Sequence, residues 1–543
     1  MIRRLRTLVS GKNTLSSAAT ILVATTLLSN VLGLLRDRFF AQKVPIDLLD
    51  TYFAAFRIPD FVFNLIILGT VSAAFIPVFL EYRAKGERES WRVAHAALTL
   101  GLLVLLGLAA VLFLLAPTLV PLIVPDFSPD KQILTVELTR ILLLQPIFFG
   151  LSYLFSGILN ALKRFFVYAI APLVYNLAII GATVLFADEF GVQALVWGVA
   201  VGAFLHMFIQ FLTAQTVGFR WAFSLDFAQP AIRKIVRLML PRSIGLAAYQ
   251  GMLLVFTAIA SSLGVGAVAA YNFADNIQTM PVAVFGLSFV TALYPTLAEK
   301  VAGKKLAEFA DLVWRSTRYL LVVMVPSAIG IFLIRAQLVR LILGTGYFGW
   351  EATITTAQTL GAFLIAMIFA ALAALLARSF WALHDTKTPT VIQVVSYVGA
   401  ILLALWLAPA RGVGLGVPGL ALAFGIGSVV AVGLSYWQLR QRVPHLRGYE
   451  AEWLPLIGQL IVGLIALTMV VQLAKFGVAE LVDMERFWGV FVQALVATGL
   501  GAGSYWLVMS WQGVPEIATI RSILVRRLLG RATPIEAQPP VRS

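Results

Sequence analysis

The chain has 543 residues, of which 60% are hydrophobic and only 12% charged, and its formal net charge is +15. So little polar surface cannot coat a soluble globule, which leaves an integral membrane protein. The absence of cysteine excludes disulfides, thiolate metal sites and cysteine nucleophiles. His95, His206, His384 and His445 lack ligand spacing, so no metal centre and no metal cofactor is expected.

A membrane span needs about 20 mostly apolar residues. Fourteen such runs are predicted: Leu15–Leu35, Phe61–Leu80, Val93–Leu115, Leu142–Leu159, Phe166–Ala187, Leu195–Val217, Ile244–Leu263, Val268–Leu293, Leu320–Ile334, Leu360–Leu376, Val391–Ala408, Val417–Leu439, Leu454–Leu473 and Phe487–Trp511. The first follows a basic stretch (Arg3, Arg4, Arg6, Lys12) but has no small-residue cleavage site. It therefore reads as a retained helix rather than a signal peptide. Counting Lys and Arg on alternate sides puts 30 of the 41 with both termini and 11 opposite. The positive-inside rule then places both termini in the cytoplasm. The same loop basicity accounts for the net charge without a nucleic-acid partner.

Two halves resemble each other. Val71–Glu81 and Phe289–Glu299 align Pro77 with Pro295 and Glu81 with Glu299, each 218 positions apart. A second pair, Asn160-Ala-Leu before Pro172 and Trp381-Ala-Leu before Pro389, recurs at offsets of 221 and 217. Six spans separate the copies, so the repeats are parallel, as in transporters whose lobes rock about a central cavity. The expected fold is thus an all-α polytopic membrane protein of about 14 spans. Residues 1–218 form a first six-helix lobe, 219–234 a cytoplasmic linker and 235–440 a second lobe. Residues 441–513 add two helices, and 514–543 form a basic cytoplasmic tail, disordered from Arg531.

Ionisable residues within spans are functional candidates because charge is costly in hydrocarbon. The richest group is Arg36, Asp37 and Arg38 with Asp50, Arg57 and Asp60, beside Pro59, which breaks the second span. These charges either line a water-filled cavity or pair with one another at the interface, Arg36 with Asp50 or Arg57 with Asp60. Arg36, Arg38 and Arg57 could hold a diphosphate, whose oxygens suit the planar guanidinium fork. In the eighth span Asp275 and Asn276 precede a second break at Pro281, where Asp275 faces the cavity or lies paired between lobes. Arg242 and Arg378, near helix ends, read as snorkelling into headgroups. Gly264–Gly266 and Gly344–Gly346 read as turns, and no set of Ser, His, Asp or Glu clusters around a helix break as hydrolysis would need.

These motifs resemble the MurJ (MviN) family of lipid II flippases, within the multidrug/oligosaccharidyl-lipid/polysaccharide exporter superfamily. The carrying residues are Ser29–Asp37, Asp50–Pro59, Ala73–Pro77 with Glu81, Gly157–Ala161 with Pro172 and Asn176, Asp275 with Pro281, and Arg378–Pro389. The resemblance implies a transporter, not an enzyme. Its cationic cavity would hold the headgroup of an undecaprenyl-diphosphate-linked peptidoglycan precursor, and a groove beside the last two spans the lipid tail. It further implies a bacterial inner-membrane location among membrane lipids, alternating access for cell-wall synthesis, and cell-wall synthesis enzymes as candidate partners. Arg36, Asp50 and Asp275 match functional positions of the family. Asn30, Phe63 and Asn276 stand where the family usually has arginine, removing three cations. No organic cofactor is implied; a coupling ion, Na+ or H+, or the membrane potential would drive transport. The expected eleventh span offers Thr390, Gln393 and Ser396 but no acid for sodium. The missing arginines favour, as alternatives, another lipid-linked oligosaccharide or an amphipathic cation as cargo. A non-transporting scaffold for envelope assembly, acting through basic loops such as Arg83–Arg92, is the remaining reading.

Overall fold

The computed structural model describes residues 15–68 and 74–528. Helix α1 (Leu15–Lys43) precedes a broken rod made of α2 (Ile46–Ala55), α3 (Arg57–Val62), a π-helical turn (Phe63–Leu68) and α4 (Ile76–Lys85). Then come α5 (Glu87–Ile123), α6 (Pro129–Leu142), α7 (Leu144–Ala161), α8 (Phe165–Phe190) and α9 (Val192–Thr216). The second half comprises α10 (Pro230–Ser261), α11 (Ala267–Pro281), another π-helical turn (Val282–Leu287), α12 (Ser288–Ala302), α13 (Leu306–Leu333), α14 (Arg335–Leu343), α15 (Trp350–Ala362), α16 (Leu364–Ala382), α17 (Lys387–Leu407) and α18 (Val417–Arg442). A 3-10 segment (Pro444–Glu452), α19 (Trp453–Leu481), α20 (Phe487–Trp511) and α21 (Pro515–Leu528) complete it.

Among the described residues there is no strand, and eleven helical segments are long and apolar enough to cross a membrane. They coincide with eleven of the fourteen predicted runs. The other three fall on α1, on the broken rod and on the apolar Gly245–Ser261 portion of α10. The linker is shorter than expected. Pro230 opens α10 because its missing N–H and fixed φ suit the first helical turn. At the other end the expected tail begins as a helix, α21, and the disorder expected from Arg531 lies outside the described residues.

The broken rods have a local cause. Pro59 has no N–H for the carbonyl of Ala55 four residues earlier, and the Thr139 hydroxyl, which donates to the Thr135 carbonyl at 2.7 Å, stands 3.4 Å from it. At the π-helical turn that follows, the Asp60 carbonyl accepts the Phe63 backbone N–H and the Asn64 side-chain amide, the latter at 2.8 Å. The second π-helical turn follows Pro281 and begins 219 residues after the first (282 − 63). Further along, Lys163 and His384 both have left-handed backbone (φ 60°), each after an Ala-Leu pair, and Arg164 and Asp385 bond to Leu159 and Phe380 in the same pattern. The repeat seen in sequence is thus repeated in backbone geometry.

One apolar core joins the halves at the end carrying the 44–45 and 262–266 turns, where Phe40, Leu49 and Phe53 meet Phe256, Phe273 and Phe348. Phe53 and Phe273 cross it edge to face at 5.1 Å. At the opposite end there are two separate cores, one around Phe75, Phe79 and Phe155 of the first half, which also takes in Ala231, Ile232 and Ile235 at the start of α10, and one around Phe309, Leu375 and Phe380 of the second. Helices α19–α21 pack on α13, where the Tyr505 hydroxyl donates to the Val322 carbonyl at 2.9 Å and Arg318 grips Glu516 at 2.6 and 3.3 Å. Between α16 and α17, Asp385 accepts the backbone N–H of Lys387 and Thr388 and the guanidinium of Arg442. Burial raises its pKa, but the bonds from Thr388 and Arg442 outweigh that and hold it at about 2.

Gly346, in the turn before α15, has φ +59°, and a Cβ there would collide with the backbone carbonyl of Gln42 at the end of α1. Backbone cannot yield as a side chain can. Gly346→Ala is expected to lower the thermal unfolding midpoint of the purified protein by several degrees; an unchanged midpoint would show that this contact does not join the halves.

Candidate functional site

The polar residues within the helices gather where α1 and the broken rod face α10 and α11. Asp50, in α2, is fully buried. Its carboxylate accepts the backbone N–H of Gly266 at 2.7 Å and of Ala269 at 2.9 Å. These belong to the first turn of α11, whose N–H groups have no intrahelical partner, so a carboxylate from the other half completes the helix end. Gly266 takes φ +79° there, and Ile46 packs where its Cβ would stand. Lys131, at the start of α6, approaches Asp50 at 3.5 Å and Asp47 at 2.5 Å.

Deeper along the same helices, Arg36 donates to Asp37 at 2.8 and 3.1 Å. It also reaches the Asn176 side-chain oxygen on α8 at 3.5 Å. Asp37 is 2% exposed, and its second oxygen accepts the Asn276 amide at 2.9 Å. Asn176 in turn donates to the Ser29 hydroxyl at 3.2 Å. One chain of bonds therefore runs from α8 through α1 to α11.

Arg57 has a different environment. It is 7% exposed, and it donates to the Thr257 hydroxyl on α10 at 2.7 Å and to the Asn272 side-chain oxygen on α11 at 2.8 Å. Both partners are neutral, and among the described residues no carboxylate lies within 4.0 Å of it. Asp60 and Asp275 feel its field but make no ion pair. Asp275 accepts the Gln278 amide at 2.8 Å, while the Gln278 oxygen is buried without a partner. Tyr52, Tyr175, Tyr249 and Tyr271 pack around these charges. The cluster holds two cations, Arg36 and Arg57, against three acids, Asp37, Asp60 and Asp275, so it has no cationic excess.

The structure thus gathers Arg36, Asp37, Arg57, Asp275 and Asn276, with Pro59 and Pro281 opening or closing their helices nearby. It does not bring Asp50 or Arg38 to them. Asp50 is fully occupied by the α11 terminus, and Arg38 points to another face of α1, donating to the Leu341 carbonyl at 2.5 Å and lying 5.2 Å from the Phe487 ring. Neither of the two pairings weighed from sequence forms: Arg36 chooses Asp37 rather than Asp50, and Arg57 chooses Thr257 and Asn272 rather than Asp60. Arg378 bonds the Thr291 hydroxyl at 2.9 Å, and the Arg242 side chain lies outside the described residues. Lys131, Thr257 and Asn272 escaped the sequence reading. For Asn272 a signal existed, since residues 272, 275, 276 and 279 are all polar at the spacing of one helix face.

Two further features bear on chemistry. Ser152 and His206 share a hydrogen bond of 2.7 Å, but the third member is Gln210 rather than an acid, and the group is buried beneath Phe149 and Tyr153. Among the described residues no three His, Cys, Asp or Glu side chains stand close enough to hold a metal ion.

Comparison with known proteins gives a consistent result. The family model described as "Lipid II flippase MurJ" matches residues 46–493. The lipid II flippase MurJ of Burkholderia cenocepacia is 29% identical, over 77% of this chain and 82% of that protein. The probable lipid II flippase MurJ of Rhizobium meliloti is 30% identical, over 71% and 74%. Among solved structures, a lipid II flippase MurJ in an inward closed conformation superposes with a TM-score of 0.74 at 21% identity, covering 94% of this chain and all of that one. An inward-facing multidrug resistance MATE family transporter gives 0.65 at 14% identity over 80% and 99%. These structural likenesses establish the fold.

Removing the carboxylate of Asp50 leaves buried N–H groups of α11 unpaired, which costs about 1–3 kcal/mol. Asp50→Ala is expected to lower the thermal unfolding midpoint of the purified protein, with Asp50→Asn, which keeps one acceptor, falling between. Equal midpoints for all three would mean that the α11 terminus finds other acceptors.

Proposed function

This chain belongs to the MurJ family of lipid II flippases, and from that premise we propose that it carries lipid II from the cytoplasmic to the outer leaflet of a bacterial inner membrane by alternating access. The match across residues 46–493, which contains most of the polar cluster, carries the reading. With both termini in the cytoplasm, as the Lys and Arg distribution favours, the end joined by Asp50 is the outer end. The molecule as described is then closed outside, by the Asp50 to α11 tie and the apolar core around it, while on the cytoplasmic side the two cores are separate and the start of α10 packs with the first half.

In this reading the headgroup enters between the halves from the cytoplasm, and its diphosphate is attracted by Arg36 and Arg57. Arg57 has neutral hydrogen-bond partners, and Asp60 and Asp275 offset its field from a distance. Arg36 is partly offset by Asp37 and is the more accessible, at 20% side-chain exposure. The lipid tail stays in the bilayer beside α19 and α20. Opening outward requires Gly266 and Ala269 to leave Asp50, and Thr257 and Asn272 to leave Arg57. Both contacts release donors or acceptors that the phosphate and water can satisfy. No bond to the cargo is made or broken. Asp60 and Asp275 have no cation within 4.0 Å among the described residues, so a coupling Na+ or H+ would act on them; otherwise the membrane potential drives the cycle.

The same two unpaired acids favour a second reading, export of an amphipathic cation, as in multidrug members of the superfamily. Complementation separates the two. In a host depleted of its lipid II flippase, the native chain is expected to restore growth, while Arg36→Ala and Arg57→Ala chains made in equal amounts do not. Growth supported by Arg36→Ala would remove that residue from the site. Dye efflux by the native chain without rescue of growth would favour the cation exporter.

A further inference from the structure

Arg140 plays no part in the cluster above, and its position is unusual. It lies in the membrane-facing wall, in a groove of about 610 Å³ formed by α5, α6, α7 and α9 and lined by Leu106, Phe113, Leu114, Ile147 and Trp197. Its Nε donates to the Phe113 carbonyl at 3.1 Å, and its guanidinium lies 4.6 Å from the Phe113 ring. Among the described residues its terminal nitrogens have no protein acceptor, and no carboxylate lies within 4.0 Å. A charge facing hydrocarbon without a counter-ion is costly and implies a partner from outside the protein.

Depth and neighbours define that partner. Arg140 is eleven residues from the start of α6, roughly 16 Å at 1.5 Å per residue. Helices α6 and α7 form one span of 33 residues, roughly 50 Å long against a hydrocarbon core of roughly 30 Å, and its apolar run begins only at Leu142, so Arg140 lies at the edge of the core on the side of the 124–128 turn. Glu137, exposed and one turn nearer that turn, sits beside it at i, i+3 spacing and makes no ion pair either. Cation and anion are thus presented in order toward the membrane surface. Trp197, 52% exposed, is shared with an adjoining groove of about 630 Å³ between α8 and α9, lined by Leu185, Phe186, Phe190 and Val201. Two apolar grooves therefore meet at Trp197, and Arg140 lines the first of them.

We propose that this face is a binding site for a zwitterionic phospholipid with a primary ammonium headgroup, such as phosphatidylethanolamine. The phosphate sits on Arg140, the ammonium on Glu137, and one acyl chain lies in each groove on either side of Trp197. The guanidinium fork matches phosphate oxygens, and the carboxylate distinguishes this headgroup from a purely anionic one.

Native mass spectrometry of the full chain, released from detergent containing equal phosphatidylethanolamine and phosphatidylglycerol, tests the site. The native chain is expected to retain phosphatidylethanolamine at least fivefold over phosphatidylglycerol. Arg140→Gln should lose most of the bound lipid. Glu137→Gln should retain lipid but lose the preference, with thermal unfolding unchanged in both variants. Equal retention of the two lipids by the native chain would overturn the proposal. So would undiminished phosphatidylethanolamine on Arg140→Gln, or a lipid-free dimer occupying this face.

Discussion

A carboxylate buried in a helical bundle must find hydrogen-bond donors within the protein, because hydrocarbon supplies none. Asp50 finds them at the first turn of α11, and much of the site follows from that choice. Anchoring the start of α11 against α2 sets the rotation of its polar face. Asn272 then meets Arg57, and one turn further on Asn276 meets Asp37. Within the apolar core that joins the halves, the end groups of one helix and amide side chains add polar ties, which can exchange protein partners for water.

The same geometry accounts for how this chain manages without the arginines expected at positions 30, 63 and 276. Asn276 cannot neutralise Asp37, so Arg36 does, and the amide of Asn276 satisfies the remaining oxygen. Phe63 instead packs against Phe149 and Tyr153, at 5.5 Å from each. Asn30 leaves its amide nitrogen buried without a partner. Arg57, the other cation of the cluster, is held by a hydroxyl and an amide oxygen, with Asp60 and Asp275 within its field.

Much of the fold was legible because its cause is local. Apolar run length identifies eleven of the membrane-crossing segments directly, and Pro59 and Pro281 mark both broken rods. The repeated Ala-Leu turns at 163 and 384 reflect the same backbone geometry twice. The site was legible in its residue types but not in its pairing. Arg57 meets Thr257 and Asn272 across 200 and 215 positions, a separation at which no spacing rule operates. Asp50 could not be recognised as a helix cap, since the helix it completes lies in the other half. Arg38 misled for the opposite reason. Two positions from Arg36 on a helix it faces elsewhere, and it ends against Leu341 and Phe487 rather than beside its neighbour.

The central claim is that the joint at Asp50 must open for transport. The chain contains no cysteine, so Ile46→Cys with Val265→Cys would place the only two thiols across that joint. Reconstituted in vesicles with a fluorescent lipid-linked diphosphate precursor, this double variant is expected to transport when reduced, stop when the thiols are bridged, and resume on reduction. Undiminished transport by the bridged protein would contradict the account.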